Sequence, residues 1–469
     1  MSDALWTREE LEAAIDGERV GTLPRAITGI SIDTRTIRPG ELFFAIKGER
    51  TDGHDYVDQA FSAGAAFAVV GREFRGDTTG PFIRARDTLE ALNDLGRAGR
   101  ARSRARIVAV TGSVGKTGTK EMLRLMLERL GRVHASDKSY NNHWGVPLSL
   151  ARLPRDAAYA VFEIGMNHAG EITPLTKMVR PHAAIITTVA PVHMAFFREV
   201  EEIAEAKAEI FRGLEPSGTA IVNRDNEFSR LLAERARENG AARVLSFGKA
   251  DEADARLISL SAEQNGSSIE ADILGEHLTY RIGAPGEHLA MNSLAALAAV
   301  KALGGDVGRA AAALTEFGAP AGRGAQSEHE ISGGAFRLID ESYNANPASM
   351  AAALAVLGAA AKGRKIAVLG DMLELGAASG EMHRGLAGPI EVAGVDRVFC
   401  CGADMRGLYE ILPAARRGTW AVDSAALKDD VLSAVRPGDT VMVKGSLGSR
   451  MGLIVEALKL AGTTKTAAA

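Results

Sequence analysis

Apolar positions along this chain fall into short β-branched runs separated by longer segments with helical spacing. The clearest junction is Ile107-Val108-Ala109-Val110-Thr111-Gly112-Ser113-Val114-Gly115-Lys116-Thr117, where a strand-like run meets a glycine turn. A leucine-rich helical pattern follows over residues 116–130. Runs at 159–164, 183–189, 219–223 and 243–247 predict further strands, with helical patterns at 200–212 and 228–238 between them. Such alternation predicts a mostly parallel sheet with crossover helices. Residues 257–282 read instead as short antiparallel strands with a Gln-Asn-Gly turn at 264–266. An alanine-rich helix over 289–303 comes next, ended by Gly304-Gly305.

The flanks carry the same mixture. Before the junction, strands are predicted at 29–33, 41–46 and 66–70 and a helix at 55–63. The basic stretch 97–106 reads as a solvated helix end and linker. After residue 318, strands are predicted at 337–340, 365–369, 397–401 and 440–443, with 453–460 in a last helix and a frayed tail over 463–469. The pattern divides the chain into units at 1–100, 101–318 and 319–469, as a length of 469 residues demands of ordinary cores.

Composition narrows the function classes. Hydrophobic and charged contents of 46% and 24% are those of a soluble globular protein. A net charge of −4 argues against a nucleic-acid surface. The longest run without polar side chains, 350–361, is 12 residues, short of the roughly 20 that cross a bilayer. Cys400 and Cys401 are adjacent in an apolar run and point to opposite faces of a strand, which disfavours a disulfide or a metal pair. The expectation is a soluble cytoplasmic protein without stable membrane association.

Chemistry concentrates at predicted strand ends. The glycine turn would offer open backbone N–H groups and a helix dipole to an anion, Lys116 a point charge, and Thr117 a hydroxyl for magnesium. The strict phosphate-loop pattern wants a glycine where Val110 stands, so a plain strand-to-helix turn is the competing reading. Glu163 ends a strand beside this loop and suits magnesium. His193 reads either as a ligand or as a satisfied core histidine. Lys207 has Ile203, Ala204, Ile210 and Phe211 at helical neighbour positions, so it shares an apolar face without a glutamate at pairing distance. It is then a lysine paired or altered from elsewhere, or one whose stem lies on apolar surface with its head in water. Asn141 and Asn142 lie in a loop ending Gly145-Val146-Pro147, Asn292 one turn inside the alanine-rich helix, and Ser31, Thr34 and Arg35 beside a glycine-rich segment at 48–54.

Taken together, Thr-Gly-Ser-x-Gly-Lys-Thr at 111–117, Asn-Asn-x-x-Gly-Val-Pro, Glu163, His193, Ala-Lys-x-Glu-Ile-Phe and Gly-x-His-x-x-x-Asn resemble the Mur ligase family. Those enzymes build the peptide stem of peptidoglycan. In the third unit, residues 340–350, 369–376 and 443–446 are similar to those of the branch that adds D-alanyl-D-alanine. The fold this resemblance implies is α/β with three domains. These are a small α/β N-terminal domain for the UDP-substrate, a central P-loop ATPase-like mostly parallel sheet, and a C-terminal doubly wound Rossmann-like domain closing over ATP.

The resemblance also implies roles. Gly112, Ser113, Val114, Gly115, Lys116, Thr117 and Gly118 would bind the ATP phosphates. Thr117 and Glu163 would hold one Mg2+ and His193 a second, with a carbamylated Lys207 serving the metal site; Lys116, Glu163, His193 and Lys207 form the implied catalytic set. Asn292 would contact adenine, and Arg323 and Asp340 the nucleotide from the third domain. Ser31, Thr34 and Arg35 would hold the UDP end of UDP-N-acetylmuramoyl-tripeptide, and Asn141 and Asn142 would contact substrate; Asn344, Asn346, Lys444 and Ser446 would lie where D-alanyl-D-alanine meets the stem. The implied chemistry is an acyl phosphate on the tripeptide, displaced by the dipeptide amine, in a monomer whose domains close on ligand. Two other readings stand beside it: a diamino-acid-adding or polyglutamate ligase, and a nucleotide-binding regulator without catalysis. The chain departs from the family at Gly118, where a second hydroxyl is common, and at Ala195-Phe196-Phe197-Arg198, where Gly-Phe-Gly-Ser is common.

Overall fold

The computed structural model describes residues 4–48, 51–76, 78, 80–137, 139–263, 266–360 and 363–464, without the side chains of Ala262, Thr463 and Thr464. Glu49 and Arg50 of the glycine-rich segment, Gln264 and Asn265 of the turn, Ala361 of the apolar run and tail residues 465–469 lie outside it.

Three main sheets organise the chain. The central sheet has nine strands, in the order 276–282, 266–273, 255–263, 243–248, 219–223, 183–186, 106–111, 159–163, 133–135. Strands from 133 to 248 run parallel, and 255–282 adds an antiparallel meander. Alternate residues of strand Arg106–Thr111 serve two different cores. Val108 and Val110 pack with Met122, Leu123 and Leu294 on one face, while Ile107 and Ala109 pack with Phe162 and Ile210 on the other. Burial on both faces explains the unbroken apolar run. From Arg106–Thr111 the chain first builds strands on one side and then crosses to Ala183–Ile186 on the other. Here, at the carboxyl ends, an open α/β sheet leaves a crevice for a ligand.

A five-stranded sheet precedes it, ordered 17–20, 82–85, 67–71, 41–44, 29–31. A seven-stranded sheet follows, ordered 417–421, 397–401, 365–370, 440–444, 334–341, 325–331, 463–464. The α/β expectation, with a mostly parallel centre and a Rossmann-like third unit, holds.

Local expectations needed adjustment. The strand expected over 183–189 ends at Ile186, and the helix expected over 200–212 is α-helical only over Val200–Ala208 before tightening into a 3₁₀ turn, Glu209–Gly213. Strand Gly334–Glu341 pairs with Ala325–Ile331, a hairpin arm whose mixed Gln, Ser, Glu and His content gave no clear pattern. The largest correction concerns the basic stretch at 97–106. Residues 97–102 do end helix Thr88–Arg102, but Arg100 is buried and Arg102 mostly covered rather than solvated. Arg100 donates to the Val179 and Arg180 carbonyls and pairs with Glu215 at 2.9 Å. These carbonyls end helix Ile172–Val179, the negative end of its dipole, which offsets the desolvation of the guanidinium. Arg102 lies over the Trp6 ring, 3.4 Å from its centroid, and burial pushes its pKa down to about 10. Trp6 in turn donates to the Ala151 carbonyl at 2.7 Å, so the N-terminal unit is seated on the central one.

Candidate active site

Helix Lys116–Glu128 begins at Gly115 with no side-chain cap, so its first N–H groups are left for a ligand. Two glycines shape the loop above it. Gly112, at φ 150°, passes so close to Thr187 that a Cβ would stand 1.9 Å from its Oγ1. Gly115, at φ 87°, leaves a Cβ only 2.8 Å from the Asn292 Oδ1. Asn292 therefore sits against the loop itself. At Gly118 a Cβ would meet nothing nearer than 3.9 Å, so the hydroxyl common in relatives is missing from open space and the loop is intact without it. Lys116 curls back to donate to the Gly112 carbonyl at 2.7 Å. Burial lowers its pKa, with Glu163 opposing and Arg323 reinforcing the shift.

Glu163 is fully buried at its strand end. One oxygen accepts from the Thr117 hydroxyl at 2.9 Å and the other from Asn141 Nδ2 at 2.7 Å. A hydroxyl and a carboxylate so placed are hard oxygen donors, the kind magnesium takes alongside phosphate oxygens. Among the described residues no cluster of three or more His, Cys, Asp or Glu surrounds one point. His193 adopts a left-handed backbone, φ 55°, and its Nδ1 meets the Glu374 carboxylate at 2.6 Å. Burial lowers its pKa, Glu374 opposes, and Lys116 and Lys207 reinforce the shift. Lys207 is 2% exposed and has no hydrogen-bond or ion-pair partner among the described residues. Burial, then repulsion from Lys116, drives its pKa far below the lysine range. Glu209, two residues on, instead caps backbone N–H groups of Gly170 and Thr173 and so fixes the loop after Glu163.

A cavity of about 480 Å³ opens above the loop. Its walls come from both neighbouring units: residues 113–118, Asn141, Glu163, His193 and Asn292 on one side, Arg323, Asn344, Asn346 and Lys444 on the other. Arg323 stacks over Tyr343, 4.2 Å to the centroid, and donates to Ser139 Oγ at 3.2 Å. Lys444 is buried and bonds Glu341 at 3.1 Å and the Asn344 carbonyl at 3.0 Å. Asn346 caps helix Pro347–Gly358 through Ser349.

The structure does not bring every sequence candidate to this cavity. Gly112 and Lys207 lie outside its wall. Asn142 accepts from the Gly145 N–H and shapes the turn into the next helix. Asp340 accepts from the Gly322 N–H and from Ser342, which holds the turn carrying Arg323. Ser446 accepts from the Leu373 N–H. Ser31, Thr34 and Arg35 form a turn at the edge of the N-terminal sheet, where Arg35 grips Asp33 at 2.7 Å. That turn lies near Tyr140, which precedes Asn141 and packs on the N-terminal core. Glu374, Tyr343, Ser139 and His288 were missed as individual residues. Glu374, Tyr343 and His288 lie inside motifs quoted for the family resemblance, which was the available signal.

Comparison with known proteins fits this geometry. Residues 26–98 match the Mur ligase family catalytic domain, 110–300 the Mur ligase middle domain and 328–447 the Mur ligase glutamate ligase domain. The UDP-N-acetylmuramoyl-tripeptide--D-alanyl-D-alanine ligase of Rickettsia prowazekii is 32% identical over 96% of this chain and 99% of its own. The chain belongs to the Mur ligase family. The Escherichia coli enzyme of the same name is 34% identical to this Mur ligase over 97% of the chain and 99% of its own. A crystal structure of MurF from Acinetobacter baumannii superposes with a TM-score of 0.83 at 30% identity, covering 97% and 98% of the two chains. MurF from Thermotoga maritima in complex with ADP gives 0.77 at 25% identity, covering 92% and 97%. Among the described residues of this Mur ligase no helix is long and apolar enough to cross a membrane.

Proposed function

We propose that this Mur ligase joins D-alanyl-D-alanine to UDP-N-acetylmuramoyl-tripeptide, converting ATP to ADP and phosphate. One observation carries the reading: near-complete alignment with ligases of that name, in a chain whose phosphate loop faces the Asn344–Lys444 wall across one cavity.

The chemistry follows from charge. A peptide carboxylate acylates poorly because oxide is a bad leaving group, so its oxygen attacks the γ-phosphorus and ADP departs. The dipeptide amine then adds to the acyl phosphate carbon, loses a proton and expels phosphate. Two anions must approach, and Lys116 together with the open N–H groups of the loop stabilises that encounter. Asn292 and Arg323 flank the nucleotide; Asn344 and Lys444 orient the second substrate, which makes the amine attack effectively intramolecular. Thr117 and Glu163 would hold one magnesium ion and His193 a second; magnesium supplies charge neutralisation on the phosphates when bound.

Lys207 acts as a carbamate. A buried amine held neutral is nucleophilic, and its nitrogen adds to carbon dioxide with loss of one proton. The anion formed faces the positive field of Lys116, which otherwise repels this side chain. The N-terminal turn at Ser31, Thr34 and Arg35 takes the UDP end. Dependence on ATP places the reaction in the cytoplasm, and one chain holds every group used, so a monomer suffices.

The test is phosphate release with ATP, magnesium, UDP-N-acetylmuramoyl-tripeptide and D-alanyl-D-alanine, each omitted in turn. Release is expected only with all four. Release indifferent to the dipeptide would sink the assignment.

A further inference from the structure

Two loops from different units meet beside the phosphate loop, and their contact has no role in the reaction described above. On the central unit the turn at His193 is closed by the Phe196 N–H donating to the His193 carbonyl at 2.8 Å. On the C-terminal unit, residues 371–376 follow strand Lys365–Gly370. They meet at three points. His193 Nδ1 lies 2.6 Å from Glu374 Oε2, the Ala195 N–H donates to the Glu374 carbonyl at 3.1 Å, and Gly376 passes within 3.1 Å of the Met194 carbonyl, measured from where its Cβ would stand. Five non-glycine residues have positive φ among the described residues, and two of them, His193 and Glu374, are the pair in contact. A left-handed backbone is unfavourable for such residues, so the surrounding contacts must hold both in place.

We infer that Glu374 is a positioning residue that fixes the imidazole of His193 and ties it to the loop bonded to the strand end behind the amino-substrate wall. A carboxylate only accepts, so its partner nitrogen Nδ1 carries the proton and Nε2 keeps the lone pair. The other end of the tie is equally specific. Ser446 accepts from the Leu373 N–H at 2.9 Å and donates its own N–H to the Asp371 carbonyl at 3.1 Å. Ser446 stands two residues beyond Lys444, which lines the cavity. Glu374 thus connects the γ-phosphate end of the site to the wall facing the second substrate through one loop. The role rests on the proposed ligase reading for its kinetic consequence, but not for the state of the imidazole.

The experiment uses the full chain with Glu374→Ala, Glu374→Gln, His193→Ala and the His193→Ala/Glu374→Ala double variant. Imidazole ¹⁵N spectra of the unliganded protein should place wild-type His193 in the Nδ1–H form. Glu374→Ala should shift it toward the Nε2–H form, and Glu374→Gln, whose amide oxygen still accepts, should restore it. Dipeptide-dependent phosphate release should fall roughly 10- to 100-fold in kcat for Glu374→Ala. The KM for ATP should stay unchanged, and the double variant should be no slower than His193→Ala. An unaltered imidazole signal in Glu374→Ala, or independent losses that multiply in the double variant, would overturn the inference. If Glu374→Ala does not fold, Glu374→Asp replaces it: a carboxylate one methylene too short should lose the signal that Glu374→Gln keeps. Wild-type protein indifferent to the dipeptide would defeat the ligase assignment alone, and the spectra would still decide the contact.

Discussion

Buried lysines lie on both sides of the cavity, in opposite surroundings. Lys444, in the C-terminal wall, is held by the Glu341 carboxylate and the Asn344 carbonyl. Under the phosphate loop, Lys116 finds only the Gly112 carbonyl, and Lys207 finds no partner among the described residues. Removing an ammonium group from water costs several kcal/mol unless a counter-charge offsets it. The C-terminal wall supplies that counter-charge from the chain. Under the loop that counter-charge is incomplete: Lys116 feels Glu163 without pairing to it, and Lys207 has none among the described residues. One wall keeps the molecule's shape; the other stores attraction for a ligand.

Four substitutions test this contrast. Lys116→Met should lower dipeptide-dependent phosphate release by at least about 10²-fold, the effect of deleting one preorganised charge, without lowering the melting temperature. A large loss of thermal stability would mean that Lys116 holds shape as Lys444 does. Glu341→Gln should do the reverse. It strands Lys444 without its counter-charge and should cost about 3 kcal/mol of stability in denaturant titration. An unchanged midpoint would erase the distinction between the two regions. Lys207→Ala should reduce activity by roughly 10- to 100-fold, and acetate or another short carboxylate should restore part of it. Full activity in that variant would remove the carbamate. Its stability carries a sign as well. Because the folded-state pKa of Lys207 is depressed, the unfolded chain binds more protons, so this residue destabilises at neutral pH and ceases to do so as pH rises toward the free-lysine value. In carbon-dioxide-free buffer Lys207→Met should therefore melt higher than wild type at pH 7.

A milder effect comes from a buried base far from the loop. His134 bonds the Ser149 carbonyl at 2.8 Å, and burial lowers its pKa to about 4. The neutral ring is stable above pH 6.5, and stability falls as pH drops from there toward 4, because the unfolded chain takes the proton first. Between pH 7 and pH 5 the loss should be about 2 kcal/mol, and His134→Gln should flatten it. An identical acid limb in the variant would remove His134 from the account.

Much of this was legible in the sequence where the signal was local. The parallel strands announce themselves because residues such as Val108 and Ile107 are apolar on both faces. Lys207 could be placed inward because its neighbours at helical spacing are all apolar, and it is 2% exposed. Arg100 and Arg102 misled, since their partners, the Val179 carbonyl and the Trp6 ring, lie about 80 to 100 residues away and charge alone reads as solvation. The sequence reads Asn142 and Ser446 as substrate contacts and Asp340 as a nucleotide contact; in the fold their oxygens accept backbone N–H groups of Gly145, Leu373 and Gly322. Polarity marks a residue as bonded to something; only the folded chain shows to what. Glu374 lies inside a motif the sequence does show, but its role stays hidden because its partner His193 belongs to another unit.

The seating of Trp6 on Ala151 and Arg102 has an optical consequence. The chain has three tryptophans, and they fall one to each unit: Trp6, Trp144 and Trp420. Trp6 cannot reach water until the N-terminal unit leaves the central one, so its emission should redden together with that of Trp144. Among the described residues Trp420 is anchored within its own unit, to the Gly402 carbonyl and under Arg406. Single-tryptophan variants would thus report two bodies by fluorescence, one made of the first two units and one of the third.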